Sequence, residues 1–335
     1  MMETGTISPL PLAGGAGGGS AAAWSEARPF RAARPPLTPP ASGRGKGSAP
    51  RVGEEGMILV NVLLFVAIAS GLLLLMISAE DSGLERGLRM REAARAQAIA
   101  RGGEVSAVVA LRRDALVAPD TDSRAEPWGA LAESGAPIEG GSFDLAIADA
   151  QGRFNVNALM QPDPIAAATL GRIAGAVGMT PEQSARAVAA IRAAGPLTDI
   201  RPLGALGLAP GQVARLSGLL TALPYEGKIN LNAASEDLIG IVTGDPMAAR
   251  RIVALRDRQG YLTAADLASL DVSMPQGTGL TSNLFWVRTR VRIGDTSQQV
   301  TSLIARKDDG QGGKTAAVVG RWTGASAPLQ APPLP

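Results

Sequence analysis

Asp120, Asp122 and Glu126 crowd together in "PDTDSRAE", a spacing at which carboxylate oxygens can hold a hard cation such as calcium. The segment lacks the glycine-centred loop of an EF-hand, so a plain acidic turn is the stronger reading. Asp308 and Asp309 in "RKDDGQGG" suit a hairpin turn. Two Asn-x-Asn pairs, Asn155 with Asn157 in "FNVNAL" and Asn230 with Asn232 in "INLNAA", place amide side chains where a strand would give way to a helix. There they are expected to satisfy backbone groups, since neither pair begins a glycosylation sequon. The chain has no histidine and no cysteine. Ser/His and Cys/His nucleophiles, thiolate metal sites and disulfides are therefore excluded. No catalytic residue and no cofactor-binding residue emerges.

Arg250, Arg251, Arg256 and Arg258 raise phosphate chemistry instead. The stretch "INLNAASEDLIGIVTGDPMAARRIVALRDRQGYLTAADL" is similar to a helix-hairpin-helix motif, whose glycine-rich hairpin offers backbone N–H groups to DNA phosphate. Here Val242 or Thr243 replaces one glycine, and Asp245 puts a carboxylate where phosphate would approach. Net charge is only +2, from 32 basic and 30 acidic residues, so no global field recruits nucleic acid. A solvated arginine face is the competing reading.

The elements that must position these groups follow from composition and periodicity. Residues 1–56 are low-complexity Gly, Pro, Ala, Ser and Arg, expected to be a disordered leader or the product of a translation start placed too early. Residues 57–78 carry no charge and as a helix would span roughly 33 Å, about one bilayer core. The run is too long for a signal-peptide core, and Ile77 stands where a small residue would be needed before a cut at Ala79. Residues 79–116 should continue the helix into solution, with Leu84, Leu88, Arg91, Ala94 and Ala98 at spacings of three and four; Gly102 and Gly103 weaken its straightness. In 117–154, Phe143, Leu145 and Ile147 alternate onto one face of a strand.

Helix starts are written at Asp163-Pro164, Thr180-Pro181 with Gln183 completing a capping box, Ser235, and Asp245-Pro246. "AIRAAGPLTDIRPLGAL" and "ALRDRQGYLTAADLASL" repeat one pattern, which predicts two similar helical units at about 163–222 and 233–272 within a helical region 155–275. "KINLN" reads as a short strand between them. "NLFWVRTRVRIG", "TSQQVTSLIAR" and "KTAAVVGRW", within 276–322, predict an antiparallel meander. Residues 323–335 are expected to be a disordered tail.

A glycine before an apolar helix, a soluble helical continuation, "DAQGRFNVNAL", two helical units, "KINLNAASEDL" and the terminal meander, in that order, resemble the K-type minor pseudopilins of type II secretion (general secretion pathway protein K). The resemblance covers about residues 53–322. It implies an α+β pilin fold: a long N-terminal helix packed on an antiparallel sheet, with a large inserted all-α domain of two SAM-like, helix-hairpin-helix-like units. It further implies a non-enzyme whose Gly56–Met57 bond is cut by a prepilin peptidase, with N-methylation of Met57. The leader would be longer and more acidic near the bond, at Glu54 and Glu55, than the short basic leaders usual in the family. Most pilin-like subunits carry glutamate at the fifth mature position, which here is Asn61. A neutral residue there suits a tip subunit, since an unpaired carboxylate in lipid is costly.

The implied role is that of a tip subunit of the periplasmic pseudopilus, in pseudopilus initiation and export of folded proteins. Implied partners are I-type and J-type minor pseudopilins, the major pseudopilin, the prepilin peptidase and the inner-membrane secretion platform. The chain would be a single-pass bacterial inner-membrane protein with its C-terminal domain in the periplasm and no nucleic-acid partner. No cofactor is required, though some relatives bind calcium. The alternative reading is a membrane-anchored helix-hairpin-helix DNA-binding protein of competence type, with an unrelated bitopic scaffold third.

Overall fold

The computed structural model describes residues 54–335 apart from 226, 312 and 335. The expectation for the leader falls mainly on residues 1–53, outside the described residues. By its contacts the chain divides into two units, residues 1–67 and 68–335. Helix α1 (Glu54–Val117) is 64 residues long; its first part belongs to the first unit and the rest to the second. It is the one described helix long and apolar enough to cross a membrane, and the apolar side chains of its span are exposed.

Beyond the apolar span the helix runs through Gly102 and Gly103 without a break. The side chains that pack are Ala96, Ala100, Ala107 and Leu111, all 0% exposed, whereas Leu84 and Leu88 are 69% and 57% exposed. The stripe expected from Leu84, Leu88, Arg91, Ala94 and Ala98 is therefore not the packing face. Leucine carries the stronger hydrophobic signal, but small side chains are what allow a sheet to approach a helix closely. At Gly103 an added Cβ would lie 2.8 Å from the Phe143 ring.

The partner of α1 is a five-stranded antiparallel sheet of β1 (Glu133–Ile138), β2 (Gly141–Asp149), β7 (Leu284–Ile293), β8 (Thr296–Asp308) and β9 (Lys314–Thr323), in the order β1-β2-β7-β8-β9. Alternation puts Leu145 and Ile147 of β2 and Phe285 and Val287 of β7 against Ala107 and Leu111, with Phe143 at the margin. Trp128 closes this core edge-on to Phe285, ring centroids 5.3 Å apart. The opposite face gathers Leu284, Trp286, Leu303 and Ala305. The meander expected from three alternating runs is β7, β8 and β9.

Between β2 and β7, which pair along their lengths, the chain leaves the sheet and returns. The excursion holds β3 (Phe154–Asn155), α2 (Pro164–Ala176), α3 (Pro181–Ala194), α4 (Pro210–Leu219), β4 (Leu220–Thr221), β5 (Ile229–Asn230), α5 (Glu236–Thr243), α6 (Pro246–Gln259), α7 (Ala264–Ser269) and β6 (Thr278–Gly279). Each expected cap is made: Asp163 accepts from Ile165 N–H, Thr180 and Gln183 form the capping box, Ser235 accepts from Leu238 N–H and Asp245 from Met247 N–H. Two similar units result, each closed by a short parallel strand pair, β3 with β4 and β5 with β6. They share one core that includes Leu170, Ile191, Leu216, Leu238 and Ile252.

Disorder after residue 322 does not hold. β9 runs to Thr323, and Gln330 is 4% exposed, hydrogen-bonded through its amide to Thr198 O and Ala222 O. A Pro/Ala composition misled here because it lacks large side chains, yet a single buried glutamine and backbone bonds anchor the segment.

Candidate functional site

The sites the sequence singled out fall in two places. In the first unit, Gly56 and Met57 lie in the opening turn of α1, and Asn61 follows on the same helix with its side chain exposed. Of the remainder, Asp122 and Asn230 come together where the sheet meets the inserted helices, Asn230 Nδ2 donating to Asp122 O at 2.8 Å.

At that junction Arg306 of β8 reaches back under the sheet. Its Nη2 donates to both carboxylate oxygens of Asp122 and to Ser282 O at 2.5 Å, and its Nη1 donates to Asp114 Oδ2 at 3.2 Å. Its guanidinium also stacks over Phe285 at 4.6 Å. Asp122 accepts further from Ser282 N–H at 2.7 Å. Two carboxylates thus share one buried cation, with Glu126 beside them accepting from Thr121 Oγ1 and Trp128 Nε1. Burial, and then the negative charges of Glu126 and Asp122, push the Asp114 carboxyl up to about 7.

The metal expectation is tested by the same geometry. Asp114, Asp122 and Glu126 place oxygens within 4.8 Å of one another, whereas Asp120 is exposed and stands outside the group. Asp114 was missed because it sits on α1, in a different element from the acidic turn. The set does not fit calcium, which takes six to eight oxygen ligands. Among the described residues only three carboxylates meet, and Arg306 already holds the faces of Asp114 and Asp122 that a cation would need.

A second, half-buried carboxylate completes the junction. Asp149, the last residue of β2, accepts from Gln151 N–H, Asn230 Nδ2 and Ser282 Oγ at 2.7, 2.6 and 2.6 Å. Burial pushes its carboxyl up to about 6. Gln151 spans the gap: its Oε1 accepts from Asn283 N–H at 2.5 Å and Leu284 N–H at 3.1 Å, and its Nε2 donates to Lys228 O.

The Asn-x-Asn pairs do what the sequence implies, and in duplicate. Asn157 accepts from Leu197 N–H and donates to Leu197 O; Asn232 accepts from Leu262 N–H and donates to Leu262 O. Asn155 accepts from Asn157 N–H, and Asn230 from Asn232 N–H. Even the helix-end arginines correspond: Arg192 donates to Leu159 O and Arg256 to Ala234 O. Leu197 and Leu262 are the leucines of the repeated Gly-x-Leu-Thr stretches, so that repetition was the signal for this lock.

The arginine run is accordingly divided. Arg256 is turned inward, Arg250 ion-pairs with Glu236 at 3.5 Å, and Asp245 caps α6 at the hairpin where phosphate would have to enter. The hairpin glycine, Gly244, adopts a left-handed φ of 73°. The cap at its neighbour is acidic, and the geometry does not favour a DNA phosphate there.

No family model matches the chain. It is 28% identical over 306 residues to the type II secretion system protein K of Pseudomonas aeruginosa, covering 78% of this chain and 91% of that protein. Its fold is similar to a chain in the crystal structure of the GspK-GspI-GspJ complex from the enterotoxigenic Escherichia coli type 2 secretion system. That match has a TM-score of 0.54 at 18% identity and covers 72% of this chain and 100% of the other. The long N-terminal helix, antiparallel sheet and added helical region are thus shared with a solved neighbour.

Proposed function

We infer that this chain, a minor pseudopilin of the K type in a type II secretion system, sits at the tip of the pseudopilus, where it helps initiate assembly and export folded proteins. The observation that carries the tip placement is Asn61. Within an apolar, uncharged span it is the neutral residue at the fifth position after Gly56, where a subunit with no neighbour above it has no partner for a carboxylate. The reading assigns no catalysis to the chain; its role is assembly.

Processing by a prepilin peptidase at Gly56–Met57 and N-methylation of Met57 belong to the same proposal. The helical domain and sheet then face the periplasm, with α1 anchored once in the inner membrane. I-type and J-type minor pseudopilins are the proposed partners, consistent with the three-protein complex named for the E. coli neighbour. The major pseudopilin and the inner-membrane platform are the further partners of assembly.

Mass spectrometry of the mature amino terminus tests the processing step. N-methyl-Met57 is expected; an intact terminus or a cut near Ala79 overturns it. Co-purification with the cognate I-type and J-type subunits tests the placement, and an Asn61→Glu chain should be recovered in filaments but with reduced initiation. Equal initiation by both forms removes Asn61 as the tip determinant.

A further inference from the structure

The last residues of the chain lie in a groove between the first helical unit and the sheet, and they fill it imperfectly. Ala331 N–H donates to Pro328 O at 3.1 Å, closing one turn, after which Pro332 and Pro333 carry the chain onward. The groove holds this peptide largely by its backbone. Arg288 Nη1 donates to Pro332 O at 2.8 Å, Arg153 Nη1 to Gln330 O at 3.4 Å, and Leu329 N–H donates to Asp199 Oδ2 at 3.1 Å. Ala331 rests against the cluster built on Trp286, whose ring lies 5.5 Å from that of Trp322. Gln330 supplies the side-chain anchor.

Three observations mark the fit as loose. Gln330 Oε1 and Thr221 Oγ1 are buried without a hydrogen-bond partner, a costly state in a well-packed interior. A cavity of about 420 Å³ remains, lined by these two residues together with Arg153, Trp286, Pro332 and Pro333. Arg153 makes only the one long bond, and among the described residues no carboxylate lies within ion-pairing distance of it. Burial pulls its guanidinium below the ordinary arginine value. Asp149 also borders the cavity, but its oxygens are already engaged by Gln151, Asn230 and Ser282.

We propose that this groove is a docking surface for a short proline-rich, carboxylate-bearing polypeptide segment of a partner protein, and that residues 328–333 are its displaceable occupant in cis. Proline suits the ligand because a pre-restricted backbone loses little freedom on binding, which is how proline-rich segments engage aromatic-lined grooves in general. The carboxylate suits it because an arginine fork with free N–H groups pairs with a carboxylate through two parallel bonds. The tail offers the turn and the prolines but no acidic side chain.

The test uses the full-length protein in detergent micelles and a fluorescent synthetic peptide copying residues 326–335, alone and with Pro333→Glu. Wild-type protein should bind either peptide weakly because its own tail competes. Gln330→Ala removes the two amide bonds of the tail and should tighten peptide binding about tenfold, with a change in tryptophan emission as Trp286 is uncovered. The glutamate peptide should bind tighter than the parent, and adding Arg153→Ala to the protein should cancel that gain. A second variant ending at Ser326 serves if Gln330→Ala leaves the tail seated, and circular dichroism reports its fold. A folded tail-less chain that binds neither peptide overturns the proposal. So does a tail-less chain that fails to fold, since the tail would then be part of the core.

Discussion

Asn157 and Asn232 each grip one leucine of the main chain from both sides, and this makes them the most consequential small polar groups in the helical domain. Asn232→Ala leaves Leu262 N–H buried without its acceptor and is expected to cost about 1–3 kcal/mol, read from urea unfolding. Asn157→Ala should cost less because its site is only half-buried. Their part was legible in the sequence, since an Asn-x-Asn at a strand-to-helix joint has backbone groups within reach. The set around Arg306 was not legible, because Asp114, Asp122 and Ser282 come to it from three distant segments. Its titration predicts a pH dependence. Asp114 and Asp149 bind their protons more tightly when folded, with values of about 7 and about 6 against about 4 for an ordinary aspartate. The stability they contribute is complete below about pH 4 and lost as pH rises through 6 and 7. Glu104, Asp144 and Asp199 are shifted down and act only under more acidic conditions. The thermal midpoint should therefore fall between pH 5 and pH 8, and Asp114→Asn should flatten the upper part of that slope.

Helix α1 shows how an element can be read correctly in extent and wrongly in face. Its length followed from an uninterrupted run of helix formers, but its packing side is set by Ala96, Ala100, Gly103 and Ala107 rather than by leucine. Small residues carry a weak hydrophobic signal although they permit the closest approach. Gly103→Leu should therefore drive Phe143 and Thr289 apart and lower stability by about 1–3 kcal/mol, whereas Gly103→Ala should cost less, because a lone Cβ displaces only the end of the Phe143 ring. Denaturation of the two variants separates overpacking from a mere change in helix propensity, which would favour both. The caps of α2, α3, α5 and α6 were legible to the residue because capping is local chemistry.

For the whole molecule, the order of elements was legible and the path of the chain between them was not. Nothing in "DAQG" or "LTSNLF" announces that β2 and β7 are neighbours, yet Asp149 pairs with Phe285 and Ala150 N–H donates to Leu284 O. The helical excursion thus begins and ends at one point of a continuous ladder. Replacing residues 150–283 with a short hairpin should leave the five-stranded sheet able to form on α1, with strand content checked by circular dichroism and amide exchange. It should also be less stable, since Arg306 loses Ser282 and the tail loses Thr198 and Ala222. The adjacency has a mechanical side as well. A pull on the helical domain would load the ladder as a fork opens, one bond at a time from its end. Gln151 closes the tines by holding Asn283 and Leu284, and Arg306 pins the same end through Asp122 and Ser282. Resistance to tearing would rest on that small clasp far more than on the length of the strands behind it.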